Sequence, residues 1–366
     1  MQKTLLIFSP SIEDGGVEKN LYNVTNYFSN KLNKVSIITA NYNKKNKFKN
    51  KVNFISPNNS LWNYSNRYVK TFICLFLFVL FFIKEKNKIT ILSFNSNIFA
   101  ILTAKIFFCD IVIRSNASPH GYLKNNIKKI IFSNILKQAN KVIVNSLDFK
   151  KQIMLAFGIN ALCIYNPLEN IQYINKLSKK KISFNFFKKN YLNIISVGRL
   201  VKQKDHITLL KAAKMLSDKI KIKLLIVGNG EQKKNLLNYI HDNKLGNIVK
   251  IIKFQKNPYP YISRSDLFVL PSLYEGLPNV LLEAQSLKKF IISTDCPTGP
   301  REILSNGDYG ELFRVGNYNQ LAKKISYYYK NQKKNKKKIA LGYKNLFRFN
   351  FEKNCMLYLN TIKKFL

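Results

Sequence analysis

The stretch DLFVLPSLYEGLPNVLLEA, residues 266–284, has the pattern of a strand, a loop and a helix in immediate succession. Its apolar run LFVL is typical of a strand that is buried on both faces of a parallel sheet. Tyr274 to Leu277 form the loop, and Pro278 stands where its fixed φ favours the first turn of a helix. The stretch therefore predicts one β–loop–α unit of an α/β fold.

Similar units recur along the whole chain. In the first half, apolar runs alternate with longer segments of helical character, and the pattern starts again after the Lys- and Asn-rich residues 169–190. The strand candidates are TLLIFS, KVSIITA, ITILSF, DIVIRS and KVIVNS in the first half, and LNIISVGRL, IKLLIVGNG, VKIIKF, LFVLPS, FIISTD and GELFRV in the second. A chain of 366 residues is long enough for two domains. The sequence therefore predicts two doubly wound, Rossmann-like α/β domains facing across a cleft.

The predicted boundaries follow this pattern. Residues 1–168 form the first domain, 169–190 a linker region, 191–345 the second domain and 346–366 a terminal helix that packs back on the first domain. In such sheets ligands bind at the carboxyl ends of the strands.

The charge of the chain restricts its partners. The net charge is +42, but only seven of the 61 basic residues are Arg, the side chain best suited to phosphate and base contacts. We therefore expect no nucleic-acid binding and favour attraction to an anionic membrane surface, which needs only diffuse positive charge. The five cysteines form no CxxC pair, and the start of the chain lacks the pattern of a signal peptide, so a cytoplasmic protein is expected.

The longest apolar run is FICLFLFVLFFI, Phe72 to Ile83. It is too short for an unaided membrane span and is hydrophobic all round, which favours a core helix. A membrane-dipping helix and a true span extended through Val69 are the two alternatives.

Two groups of residues follow predicted strands of the second domain. Arg199 and Lys204, in GRLVKQKD, suit a diphosphate, since Arg grips oxygens bidentately and Lys adds a point charge. Gly228 and Gly230 would let a base or ribose approach the backbone, although a simple β–α turn explains them equally well.

Glu275 and Glu283 flank the predicted helix start, in a chain with only 19 acidic residues. Backbone N–H groups at Asn279 and Val280 would form an anion site at the helix N-terminus, with a carboxylate on either side to accept sugar hydroxyls. In the alternative interpretation, Glu275 is a turn residue and Glu283 a surface residue.

Together these motifs resemble glycosyltransferase family 4, retaining enzymes of GT-B fold. Glu275 to Glu283 match its E-x7-E motif, GRLVKQKD its donor-phosphate motif, GGVEKNL its glycine-rich first loop, GNGE its second glycine turn and YNP its hinge. The resemblance covers almost the whole chain and implies an acceptor-binding first domain and a nucleotide-sugar-binding second domain.

The resemblance implies a role for each matching residue. Arg199 and Lys204 would hold the donor diphosphate, Glu283 the ribose and Glu275 the transferred sugar, while His120 would face that sugar. The implied catalytic set is His120, Arg199, Lys204 and Glu275, and the implied donor-binding set is Gly15, Gly16, Gly228, Gly230, Leu277, Asn279, Val280 and Glu283. No DxD motif is present, so we expect neither a metal nor any other cofactor. His206 and His241 are interpreted as surface or packing residues.

The predicted function is retaining transfer of a sugar, N-acetylhexosamine or hexose, from a UDP-sugar to a lipid-linked or growing surface-glycan acceptor at the inner membrane face. STDCPTGPREIL resembles a branch of the family that extends lipid-linked oligosaccharides. The alternatives are a non-catalytic nucleotide-binding partner subunit and a basic nucleic-acid-binding protein.

Overall fold

The structure is a computed structural model, and it describes residues 3–13, 15–85, 88–116 and 126–366. It divides the chain into two compact units. The first unit is Met1–Pro167 together with Phe351–Leu366, and the second is Leu168–Asn350.

Strands and helices alternate in the described chain. The strands are β1 (Thr4–Phe8), β2 (Val35–Ile38), β3 (Asn53–Ile55), β4 (Ile89–Ser93), β5 (Asp110–Arg114), β6 (Lys141–Val144), β7 (Leu162–Cys163), β8 (Leu192–Val197), β9 (Ile222–Val227), β10 (Val249–Ile252), β11 (Leu267–Leu270), β12 (Phe290–Thr294) and β13 (Glu311–Phe313). The helices are α1 (Gly16–Phe28), α2 (Arg67–Lys84), α3 (Asn97–Ile106), α4 (Asn126–Leu136), α5 (Leu147–Phe157), α6 (Ile171–Ser178), α7 (His206–Ser217), α8 (Lys233–Asp242), α9 (Tyr259–Arg264), α10 (Asn279–Ser286), α11 (Pro300–Ile303), α12 (Tyr318–Lys330), α13 (Gln332–Asn345) and α14 (Phe351–Lys363).

The first unit is built on a parallel sheet in the order β3-β2-β1-β4-β5-β6-β7. Successive residues of β1 point to opposite faces of the sheet, and both faces are covered. Leu5 and Ile7 join the apolar core on one face, and Leu6 and Phe8 join the core on the other. This two-sided burial explains the near-continuous apolar strands of the sequence.

The terminal helix α14 belongs to the first unit. Its Tyr358 is fully buried in one of the two cores, and the Tyr358 hydroxyl lies 2.8 Å from Nε of Arg114 on β5. Arg114 is itself buried and also donates to the side-chain oxygens of Asn116 and Asn166. A buried guanidinium satisfied by neutral groups thus links the end of the chain to the first sheet.

The second unit contains a parallel sheet in the order β10-β9-β8-β11-β12-β13. All six of its strands were predicted: β8, β9, β11 and β12 are buried apolar runs, and the partly buried edge strands β10 and β13 lie within longer apolar segments of the sequence. In the first unit β3 and β7 were missed, since they are edge strands of three and two residues that are only partly buried. The predicted fold class, two Rossmann-like doubly wound domains, agrees with these sheets.

The segment 169–190, predicted as a linker, lies within the second unit. It contains α6 and an aromatic cluster in which the ring centroid of Phe184 lies 5.1 Å from those of Phe187 and Tyr261. The ammonium of Lys223 on β9 lies 5.2 Å from the centroid of Phe186. Aromatic packing therefore fixes a segment that Lys and Asn make look solvated in the sequence.

Helix α2 contains the longest apolar run. Cys74 and Phe78 are buried in the first unit, whereas Phe72 and Phe76 on the opposite face are exposed. The core interpretation therefore holds for one face of the helix. In the part of the chain that the structure describes, no helix combines the length and apolarity needed to cross a membrane.

Candidate functional site

The charged donor-site residues predicted in the second unit follow two adjacent strands, β8 and β11, which pair in parallel. The strand order reverses between these two strands, and this is the point where doubly wound sheets bind ligands. Arg199 and Lys204 lie in the segment between β8 and α7, while Glu275 lies between β11 and α10. The topology thus joins residues that are far apart in the sequence.

Lys204 and Glu275 form an ion pair at this point. The Lys204 ammonium lies 2.5 Å from Oε1 of Glu275, and the side chains are only 15 % and 7 % exposed. The Ser272 hydroxyl donates to the same carboxylate oxygen over 2.6 Å. A carboxylate held by two donors is fixed in orientation, so it presents its remaining acceptor sites in a defined direction.

Residues from the end of β12 support the loop that carries Glu275. The Thr298 hydroxyl donates to the carbonyl oxygen of Glu275, and the Thr294 hydroxyl donates to that of Ser272 over 2.6 Å. Burial, with the Glu275 carboxylate as a second cause, raises the pKa of the nearby Cys296 thiol to about 12. Cys296 is therefore a neutral packing residue at physiological pH.

Arg199 is exposed in the loop that follows β8, and Leu200 beside it is fully buried. The buried Leu200 anchors the loop, since its N–H donates to the Asn229 carbonyl over 2.7 Å and its carbonyl accepts from Gln232 N–H over 2.8 Å. The Arg199 side chain therefore projects from a backbone held by hydrogen bonds.

Gly228 and Gly230 lie where the loop after β9 packs on the loop after β8. A Cβ at Gly228 would collide with the Gly198 carbonyl oxygen, and one at Gly230, where φ is +155°, would collide with the Leu200 carbonyl. The packing of the two loops thus requires glycine at both positions. Their predicted contact with a nucleotide stays a prediction.

Glu283 lies on α10 and is 8 % exposed, so the interpretation as a surface residue is wrong. The hydroxyl of Tyr259, on α9, lies 3.4 Å from Oε1 of Glu283 and 3.3 Å from Oε2 of Glu169. Two carboxylates therefore meet at one phenolic hydroxyl, which has a single proton to donate. Neither Tyr259 nor Glu169 was predicted as a site residue, because no sequence motif marks them.

The N-terminus of α10 lies between the two glutamates in the sequence. Pro278 occupies its N-cap position and has no side-chain acceptor to offer, while Asn279 and Val280 open the helix and are half-buried. The positive end of the helix dipole favours an anion here. Leu277, predicted to bind the donor, is buried, and its contact with the donor stays a prediction.

His206 is the first residue of α7, directly after the loop that carries Lys204, and it is 3 % exposed. Its Nδ1 lies 3.5 Å from the Ser196 hydroxyl. Burial, reinforced by the positive charge of Lys204, lowers the pKa of His206 to about 4. His206 is thus a neutral packing residue, whereas His241 is a surface residue next to Asp242.

The remaining predicted residues belong to the first unit. Gly15 is the N-cap residue of α1 and Gly16 its first helical residue. His120 lies outside the described residues. Within the described ranges, no group of three or more His, Cys, Asp or Glu side chains has the arrangement of a metal site. Metal independence stays a prediction.

Residues 178–345 match the family model described as Glycosyl transferases group 1. They lie within the second unit and include Arg199, Lys204, Glu275 and Glu283. The match confirms the family resemblance for this part of the chain.

Two curated relatives agree with this assignment. An uncharacterized glycosyltransferase of Methanocaldococcus jannaschii is 36 % identical over 222 residues, covering 56 % of this chain and 53 % of the relative. The N-acetylgalactosamine-N,N'-diacetylbacillosaminyl-diphospho-undecaprenol 4-alpha-N-acetylgalactosaminyltransferase of Campylobacter jejuni is 30 % identical over 207 residues, 55 % of this chain and 54 % of the relative. The chain spans about half the length of the curated relatives it matches.

The fold extends over the whole chain. The crystal structure of Anabaena Alr3699/HepE in complex with UDP and glucose superposes with a TM-score of 0.81 at 18 % identity, covering 99 % of this chain and 100 % of that one. The GT-B fold class with two Rossmann-like domains is thereby confirmed.

Proposed function

We propose that this chain transfers a sugar from a UDP-sugar to a lipid-linked or growing surface-glycan acceptor, with retention of configuration. The observation that carries the proposal is the buried Lys204–Glu275 pair at the strand-order reversal of the second sheet, inside the segment that matches the glycosyl transferase family. A fixed carboxylate paired with a lysine, with Arg199 exposed on the same loop as that lysine, suits a ligand that combines sugar hydroxyls with a diphosphate.

The positively charged groups of the site bind the donor diphosphate in this proposal. The exposed guanidinium of Arg199 grips the diphosphate, Lys204 adds a second positive charge, and the N-terminus of α10 supplies backbone donors. When the bond between the sugar C1 and the phosphate oxygen breaks, the nucleotide diphosphate leaves with the bonding electrons. Cations already in position stabilise that charge without reorganisation.

The two glutamates bind the two sugars of the donor, which are the transferred sugar and the ribose. Glu275 is held by Lys204 and Ser272, so its remaining acceptor sites suit hydroxyls of the transferred sugar. Glu283 is buried beside Tyr259 and suits the ribose hydroxyls. The family resemblance adds His120, Gly15 and Gly16 to the proposed donor-binding residues.

The proposed substrates follow from the relatives. The Campylobacter relative is named for transfer of N-acetylgalactosamine to a diphospho-undecaprenol saccharide, and the Anabaena structure contains UDP. For this chain we propose a UDP-linked hexose or N-acetylhexosamine as donor and a polyprenyl-diphosphate saccharide as acceptor. The reaction would take place at the cytoplasmic face of the membrane and use no metal.

The test is nucleotide release from UDP-, GDP- and ADP-sugars, with and without a bacterial lipid extract that contains polyprenyl-linked acceptors. The proposal expects UDP release from one donor that depends on the extract and is lost in Glu283→Gln. Release of GDP or ADP alone would contradict the UDP assignment. UDP binding without release from any donor, across extracts of several bacteria, would instead indicate a non-catalytic nucleotide-binding subunit.

A further inference from the structure

Helix α2 exposes one continuous apolar face to solvent. Tyr68, Phe72, Phe76, Leu80 and Ile83 lie three or four residues apart and therefore on one side of the helix, and they are between 49 % and 73 % exposed. We call these five residues the α2 face. Single exposed apolar residues are common, but a contiguous apolar surface of this kind marks an interaction site.

The apolar surface continues beyond α2. The ring centroid of Phe72 lies 6.0 Å from that of Phe99 on α3, so the two helices are neighbours at this point. Leu102 and Ile106, three and seven residues after Phe99, are exposed on α3. In the short segment that precedes α2, Leu61 and Tyr64 are exposed, with the partly exposed Trp62 between them.

The charges next to this surface are positive. Arg67 and Lys84 stand exposed at the two ends of α2, Lys88 is exposed shortly after it, and Lys105 is exposed on α3. The acidic neighbour Glu85 is paired with Lys34, whose ammonium lies 3.7 Å away. The apolar surface therefore has a basic rim.

We propose that the α2 face seats this protein on an anionic membrane surface, with its apolar side chains in the acyl boundary and its basic rim at the lipid headgroups. A helix that packs on a protein core along one side and on lipid along the other is apolar all round, as the sequence of α2 is. Basic residues near the headgroups add electrostatic attraction to anionic lipids. The inference rests on the first unit alone and does not depend on the donor site.

The positive charge of the basic rim disfavours a second copy of the chain as the partner that covers the α2 face. Two copies joined through the α2 face would bring the exposed Lys84, Lys88 and Lys105 of both into or next to one interface. Like charges across an interface are unfavourable, and each copy carries a net charge of +42. An anionic lipid surface has the opposite, complementary charge.

Tryptophan fluorescence is specific in this test, because Trp62 is the single tryptophan of the chain and lies in the short segment that precedes α2. The experiment titrates the full chain with vesicles of phosphatidylcholine alone and of phosphatidylcholine with phosphatidylglycerol, in normal and brominated-acyl forms. We expect a blue shift of Trp62 emission and quenching by the brominated chains, mainly with the anionic vesicles. The matched variants are Phe76→Ser with Leu80→Ser, and Leu237→Ser, an exposed leucine of α8 in the second unit.

Three outcomes distinguish the possibilities. A loss of at least about tenfold in vesicle affinity for the double variant, with Leu237→Ser unchanged, would support the proposal. Equal sedimentation of wild type and double variant with anionic vesicles, without a change in Trp62 emission, would overturn it in favour of adsorption by diffuse charge. A lipid-free dimer that the double variant abolishes would overturn it in favour of an interface between copies. Unchanged thermal unfolding of the variants confirms that they are folded.

Discussion

The ammonium of Lys204 lies 2.5 Å from a carboxylate oxygen of Glu275, although the two residues are 71 positions apart in the chain. The pair follows from topology, because β8 and β11 are neighbours in the sheet and the loops after them meet at its carboxyl edge. Lys204 is thus both a proposed phosphate ligand and the group that fixes Glu275.

The pair predicts energetic coupling. Lys204→Ala leaves Glu275 buried without its cation, so we expect the free energy of unfolding to fall by about 3 kcal/mol. The double variant Lys204→Ala with Glu275→Ala should be more stable than the sum of the two single changes predicts. Urea unfolding of the four proteins measures the coupling. Lys202→Ala, an exposed lysine of the same loop, is the control; additive single changes would contradict a functional ion pair.

The Tyr259 hydroxyl predicts a positioning effect on Glu283. Tyr259→Phe removes a hydrogen bond to a buried carboxylate, which is about 2 kcal/mol for a charged acceptor. We expect the KM for the sugar donor to rise by roughly tenfold with a smaller change in kcat. Tyr261→Phe, on the same helix but packed against Phe184, should behave as wild type. Equal effects of both variants would indicate a general packing role.

The close approach of two loops predicts intolerance at Gly228. A Cβ at this position collides with backbone, which cannot move without displacing the segment that carries Arg199. Gly228→Ala should lower the free energy of unfolding by about 2 kcal/mol or more. A Cβ at Gly246 meets no atom within 4 Å, so Gly246→Ala is the matched control. Thermal unfolding compares them, and an unaffected Gly228→Ala would show that the loops are not packed in this way.

The low pKa of His206 predicts a pH dependence of stability. The folded state keeps His206 neutral down to about pH 4, whereas an unfolded histidine takes up its proton near pH 6.5. The unfolded state therefore binds more protons between these values, and this residue destabilises the fold increasingly as the pH falls from 6.5 to 4. The contribution reaches about 1.4 kcal/mol per pH unit.

The check is urea unfolding between pH 7 and pH 4.5 for wild type and two variants. The difference between wild type and His206→Gln should change across this range, which isolates the histidine from carboxylates that titrate nearby. His241→Gln, at a histidine that is 91 % exposed, should run parallel to wild type. Parallel curves for all three proteins would mean that His206 takes up its proton while folded.

The sequence predicts the centre of the second sheet well because β8, β9, β11 and β12 are buried on both faces and therefore carry an unambiguous apolar run. The edge strands β3 and β7 escaped prediction, since a strand of two or three partly buried residues leaves no such run. The composition of 169–190 suggested a linker, but Phe184, Phe186 and Phe187 fix it through contacts with residues far along the chain.

The candidate site was predictable only where a motif carries it. Arg199, Lys204, Glu275 and Glu283 were found by residue type and spacing, yet their partners Tyr259, Glu169 and Thr298 are visible only in three dimensions. The exposure of one face of α2 could not be predicted either. The sequence of a helix that is apolar all round is the same whether one of its faces packs on protein or is exposed to solvent.

Calorimetric titration of UDP into wild type, Arg199→Ala and Lys202→Ala is the most direct test of the proposed donor site. Arg199 is exposed, so we expect its replacement by alanine to leave the buried core of the second unit intact. We expect wild type and Lys202→Ala to bind UDP with similar affinity. Arg199→Ala should bind UDP at least about tenfold more weakly, because it lacks a charge-assisted contact to phosphate. Absence of UDP binding by wild type, or equal UDP affinity of Arg199→Ala and wild type, would contradict the proposed donor site.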